Sequence, residues 1–235
     1  MTGLFLRVAC ALSLAGGVPA AAQDAVVLEL YERVNRTHAA PSDAEVSAAL
    51  EAMWTRLKTQ DPATCIPGEI SRTPPQPATA DRMIFNAVVQ DQAKNGWTTI
   101  VTSGGCPVTR QRFVLARMKD GTLNAIPANP GNSLTTSSQF RDTMRQAMMA
   151  MMNLPDMRTP ACRDARIDRV ETRVTSRAAD LGPDVFGARY AGSWQEEWTL
   201  FSCGKQAIVP IGFRADGTGG VFAQIAGDKV RLVKP

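Results

Sequence analysis

Three pairs of scarce residues in this chain share one spacing: Cys65 and Cys162, Trp97 and Trp194, and Cys106 and Cys203 each lie 97 positions apart. A turn signal, Asp120-Gly121-Thr122, returns as Asp216-Gly217-Thr218 after 96 positions. Four landmarks rarely keep register by chance, so the chain reads as an internal duplication in which each copy is one structural unit. This limits the fold more than composition does, because whatever the first copy forms, the second must form also.

The amino terminus reads as an export signal over 1–22, with Arg7 as its positive end, a short apolar run from Val8 to Val18, and Ala20-Ala21-Ala22 as a small-residue cleavage site. A rival reading lipidates Cys10, but the apolar run follows that cysteine instead of preceding it. No later stretch has the run of about 20 apolar residues needed to cross a bilayer. The expected location is therefore periplasmic or secreted. Four cysteines remain, Cys65, Cys106, Cys162 and Cys203, an even number suited to an oxidising compartment. Four cysteines allow three pairings, and inheritance of one ancestral bridge by each copy selects Cys65–Cys106 and Cys162–Cys203. A four-thiolate zinc site would need paired C-x-x-C spacing, which is not present, and no metal site is expected.

The order of elements follows from periodicity and turn chemistry. A first helix is expected from Asp24, as its cap, to about Arg36, with Val27, Leu30, Tyr31 and Val34 on one face. A second begins at a Ser42/Glu45 capping box and carries Val46, Leu50, Met53, Trp54 and Leu57. The second copy opens alike: Thr136 and Gln139 form a capping box, followed by Phe140, Met144, Met148 and Met151. Strands are expected to follow each helix. In copy one, Met83 to Gln90 leads to an Asn95-Gly96 hairpin and back through Trp97 to Thr102, with Thr73 to Thr79 as a surface loop. In copy two, Gly192-Ser193 precedes Trp194. Later strands turn at Asp120-Gly121 and Asp216-Gly217. The expected fold is α+β: a helix plus a four-stranded antiparallel meander, twice over, with one disulfide per repeat and an N-terminal helix ahead. The divisions are an N-terminal helix and linker at 23–41, one repeat at 42–130 and another at 134–235, joined through the turn-rich stretch Pro127 to Ser133.

The charge is +4 at pH 7, and the leader takes one arginine and no acid from it. The richest basic stretch, Arg163, Arg166, Arg169, Arg173 and Arg177, is interleaved with Asp164, Asp168 and Glu171, so it reads as a self-paired strand face and not as a nucleic-acid stripe. Catalytic motifs are scarce. The single histidine, His38, stands between the first two helices, and there is no G-x-S-x-G elbow, H-E-x-x-H, phosphate loop or dinucleotide fingerprint. A carboxylate-pair hydrolase built from the 22 acids is the remaining enzymatic reading. No cofactor is implied.

Six methionines between Met144 and Met157 raise Cu(I) binding, yet their helical spacing with Phe140 reads better as core. The off-stripe Met149 and Met152 are a candidate apolar patch. Strand alternation sends Trp97 and Val101, and Trp194, Glu196, Trp198 and Leu200, toward the core. It leaves Thr98 and Thr102, with Gln195, Glu197 and Thr199, as the candidate binding face. Asn35-Arg36-Thr37 fits a glycosylation acceptor.

With two stapled helix-plus-meander units, the element order resembles that of tandem inhibitors of the β-lactamase inhibitory protein type and, more loosely, of cystatin-like units. The resemblance implies binding through sheet faces and carries no contact residue across. The Ala-, Arg- and Asp-rich composition points to a bacterial host. The expectation is an exported, non-enzymatic binding protein of the bacterial cell envelope, holding a protein or polymer ligand on the sheet faces of its two repeats. The alternatives are a structural or assembly accessory of an envelope complex, and the hydrolase.

Overall fold

The computed structural model describes residues 20–162 and 166–233. The leader expected over 1–22, with Cys10, lies outside these residues except for 20–22, which begin the first helix; Arg163 and Asp164 of the basic stretch also lie outside. Helix α1 spans Ala20–Thr37 and α2 Asp43–Gln60. Asp24 is therefore inside α1 and does not cap it.

In the first half, β1 (Ile70–Arg72), β2 (Gln76–Pro77), β3 (Ala93–Ser103), β4 (Arg110–Met118) and β5 (Leu123–Pro130) form an antiparallel sheet in the order β1-β3-β4-β5, with β2 also on β3. In the second half, α4 (Ser137–Met152) precedes β6 (Arg169–Arg177), β7 (Ser193–Ser202), β8 (Lys205–Ala215), β9 (Val221–Ile225) and β10 (Arg231–Leu232). There β6, β7 and β8 form a meander, and β9 and β10 both lie along β8. The fold is α+β with two antiparallel sheets and one disulfide in each half. Cys65 is bonded to Cys106 and Cys162 to Cys203, with Cα atoms 5.8 and 5.7 Å apart.

Each sheet buries one face under its own helix. Val46, Ala49, Leu50 and Met53 of α2 pack on Trp97, Val101, Phe113 and Leu115. In the second half Ala147 and Met151 of α4 pack on Trp194, Trp198, Leu200 and Ile211, with the Phe140 ring 4.6 Å from that of Trp198. Both capping boxes form: the Ser42 hydroxyl accepts from Glu45 N while Glu45 returns to Ser42 N, and Thr136 and Gln139 repeat the exchange. The side chains of Asp120 and Asp216 likewise accept from the backbone N–H of Thr122 and Thr218.

Four expectations need correction. Met83 to Gln90 is not a strand: Arg82–Val89 is helix α3, started by Asp81, whose carboxylate accepts from Met83 N at 3.0 Å. An eight-residue apolar run is ambiguous between the two periodicities, and here the cap decides. Nor do Asn95 and Gly96 turn a hairpin, since both lie inside β3. Gly96 is there because α3 rides directly over it; a Cβ would stand 2.5 Å from Cδ1 of Ile84. Asn95 is buried, and its amide donates to Asn35 Oδ1 while its oxygen accepts from Thr79. The Thr73 to Thr79 stretch is not wholly loop, because Gln76 and Pro77 pair with Thr98 and Trp97. Pro127 and Pro130 belong to β5, an edge strand that tolerates proline, so the turn between the halves is confined to the residues after Pro130.

Helix α1 lies across the two halves. The Tyr31 ring meets Phe85 of the first half at 5.7 Å and Phe186 of the second at 5.9 Å. Asn35, the candidate glycosylation site, donates to Tyr31 O and Thr79 Oγ1 and accepts from Asn95, which leaves its amide committed to packing.

Candidate functional site

The two sheets are bonded to each other where the chain leaves β5. Thr172 on β6 donates its hydroxyl to Pro130 O and accepts from Ser133 N at 2.9 Å, while its carbonyl accepts from Asn132 N at 3.1 Å. Gly131 fits against Thr172 with φ +70°, and a Cβ there would lie 2.4 Å from the Thr172 carbonyl oxygen. One sheet stands on either side of this contact as a wall.

Buried polar groups hold the walls in place. Arg112 reaches from β4 and donates to Thr135 O at 2.9 Å and Ser133 O at 3.0 Å. Burial pushes its pKa below the ordinary guanidinium value, against the pull of the Asp184, Asp81 and Glu196 carboxylates. Asp81 ties two helix starts together, accepting from Met83 N of α3 and from both the N–H and the hydroxyl of Ser137 on α4. Glu196 is buried on β7 and accepts from the indole N–H groups of Trp194 (2.8 Å) and Trp198 (2.7 Å) and from Leu134 N (2.8 Å). A buried carboxylate needs such a set of donors, and both acids have it.

A run of three adjoining cavities starts between the walls and continues over the second sheet. The middle one, about 650 Å³, is lined by Ile100, Leu134 and Val174 together with Arg110, Arg112, Arg173 and Arg177. It shares Ile100 and Arg112 with a cavity of about 440 Å³ that contains Thr98, Asp184 and Phe186. On the other side it shares Ser176 and Arg177 with one of about 550 Å³ that contains Gln195, Arg214 and Phe222. The run carries five arginines and one acid, Asp184.

Thr98 and Gln195, read from sequence as parts of one binding face, therefore sit at opposite ends of this groove. Thr102 faces Arg110 in register on β3 and β4. Glu197 does not line the groove; it holds Arg173 at 2.9 Å. Thr199, paired with Ile208, is on the same open face of β7 as Gln195 but further along the strand, and it does not line the cavities. Met149 and Met152 do not form one patch, because Met149 is 57 % exposed whereas Met152 packs against the second core. Among the described residues no group of three or more His, Cys, Asp or Glu side chains stands in metal-binding proximity, and no helix is long and apolar enough to cross a membrane.

Arg110, Arg112 and Arg214 escaped the sequence reading because they are dispersed along the chain and meet only through strand pairing. The interleaved stretch divides: Arg169 pairs with Glu171 at 3.3 Å and Arg173 with Glu197, whereas Arg177, like Arg110 of β4, makes no ion pair among the described residues. No protein-family model, no curated protein and no solved structure matches this chain. The resemblance to tandem inhibitors thus rests on element order alone.

Proposed function

We propose that this is an exported, non-enzymatic binding protein of the bacterial cell envelope, which holds a protein or polymer ligand in the groove between its two halves. One observation carries the reading: three cavities join end to end, the first lined by the first sheet and residues 184–186 of the second half, the middle one by both sheets, and the last by the second sheet alone. A continuous groove that spans two units suits an extended occupant better than a small molecule, whose site is a single enclosed pocket. The two disulfides agree with an oxidising compartment outside the cytoplasm. Asp81 and Glu196 are the carboxylates that a hydrolytic reading would recruit beside Arg112, and their oxygens are engaged by backbone, hydroxyl and indole donors that hold the fold.

Affinity capture from a bacterial envelope extract tests this. The wild-type chain is expected to retain a ligand that a Thr98→Trp, Ser176→Trp variant, filled from both walls but unchanged in circular dichroism, does not retain. Equal retention by both would refute the groove as the binding site.

A further inference from the structure

We infer that the groove takes an extended acidic polypeptide segment, which pairs with the edge of β6 at Val174 and sets its carboxylates on the arginines. This rests on the binding reading above and names the class of ligand for the same site.

Three observations converge on it. The first is edge chemistry. β6 ends its sheet, with β7 as its only ladder partner among the described residues. The Thr172 carbonyl points away from β7, since it accepts from Asn132 N across the contact between the halves. The backbone repeats with a period of two from Thr172 to Val174, before the ladder shifts register ahead of Ser176, so the N–H and carbonyl of Val174 leave the same edge next to the turn that occupies Thr172, and Val174 lines the groove. The second is charge. The middle cavity is lined by four arginines and no acid, and Arg110 and Arg177 lack a carboxylate partner among the described residues. The Nε of Arg110 is buried with no hydrogen-bond partner there. The third is shape. The arginines share the wall with Ile100, Leu134 and Val174, a mixed cationic and apolar lining that an extended chain with acidic and apolar residues on opposite sides would match. A sulfated or uronate polysaccharide would satisfy the arginines but would leave the strand edge and the apolar wall unmatched.

The probe is a fluorescein-labelled octapeptide of alternating glutamate and valine, followed by fluorescence anisotropy with the full chain at low salt. Saturable binding is expected, weakening as salt is raised because exposed charge pairs are screened. Arg110→Ala and Arg177→Ala should each weaken it about tenfold, as loss of one charge-assisted contact does. Arg141→Ala on the exposed side of α4 should leave it unchanged, and all three variants should unfold at the wild-type urea midpoint. The same octapeptide with consecutive N-methylated residues, unable to donate along the strand edge, should bind at least about tenfold more weakly.

Absence of saturable binding up to about 1 mM, indifference to both arginine substitutions, or equal affinity for the N-methylated peptide would each overturn the inference. Tighter binding of a heparin hexasaccharide than of the octapeptide would overturn it in favour of a polysaccharide. A chain that retains an envelope ligand through the groove yet ignores the octapeptide keeps the binding reading and loses this one.

Discussion

Glu45 shows how much one side chain of this fold is asked to do. Its carboxylate closes the capping box of α2, accepting from Ser42 N at 2.8 Å, and also meets the Arg117 guanidinium of β4 at 2.7 Å. The Arg117 hydrogen bond, then the Ser42 backbone and hydroxyl, lower its pKa to about 2. A depressed folded-state pKa means that this contribution is complete above the ordinary carboxylate range and is lost as pH falls toward about 2. The counterpart Gln139 cannot titrate; its amide instead donates to Gly219 O at 2.7 Å, a bond a carboxylate could not make. Acid should therefore loosen the first helix start before the second. Side-chain NMR titration should place Glu45 near 2 and Arg117→Ala should bring it back toward an ordinary value; an ordinary midpoint in the wild type would count against the Arg117 contact.

Among the elements, the two disulfides span equal lengths of chain but sit in different surroundings. Each links residues 41 apart, for which the chain-entropy model gives roughly 4 kcal/mol of stabilisation. Cys65 is exposed, while Cys162 is buried in the core beneath α4. Mild reductant should open Cys65–Cys106 first, and timed alkylation with peptide mapping would show it; prior labelling of Cys162 would contradict the placement. The elements also show where duplication stopped constraining the chain. The segment before β3 is helix α3, whereas the matching segment before β7, which includes Gly182, Pro183 and Gly187, has no helix. Proline in a helix interior removes a backbone donor and clashes with the preceding turn, and glycine costs entropy.

For the whole molecule, the contact at Thr172 and Gly131 joins the halves where the chain passes from one sheet to the other. Alanine at Gly131 would have to adopt a left-handed backbone and place a Cβ against the Thr172 backbone. The expected loss is about 3 kcal/mol. Since this contact joins the halves, Gly131→Ala should also split a single calorimetric unfolding transition into two. A variant that melts as the wild type does would show that the contact is not the coupling point.

Local chemistry is legible in this sequence wherever a residue's partner is near in the chain or copied in the repeat. The capping boxes, the Asp-Gly-Thr turns, the bridge pairing and the inward tryptophans are all of that kind, because short-range geometry and a shared ancestor leave few alternatives. Gly96 and Asn95 were misleading for the opposite reason: their meaning lies in Ile84 riding over one and Asn35 and Thr79 bonding the other, which no spacing reveals. The groove belongs to the same category. Arg110 and Arg112 come to share one space with Arg173 and Arg177 only after two sheets are placed edge to edge, and that placement is decided by side chains such as Thr172, Asp81 and Glu196 finding donors and acceptors far away in the chain. Sequence periodicity determined which face of each strand is buried; the docking of one half on the other determined what the remaining faces enclose.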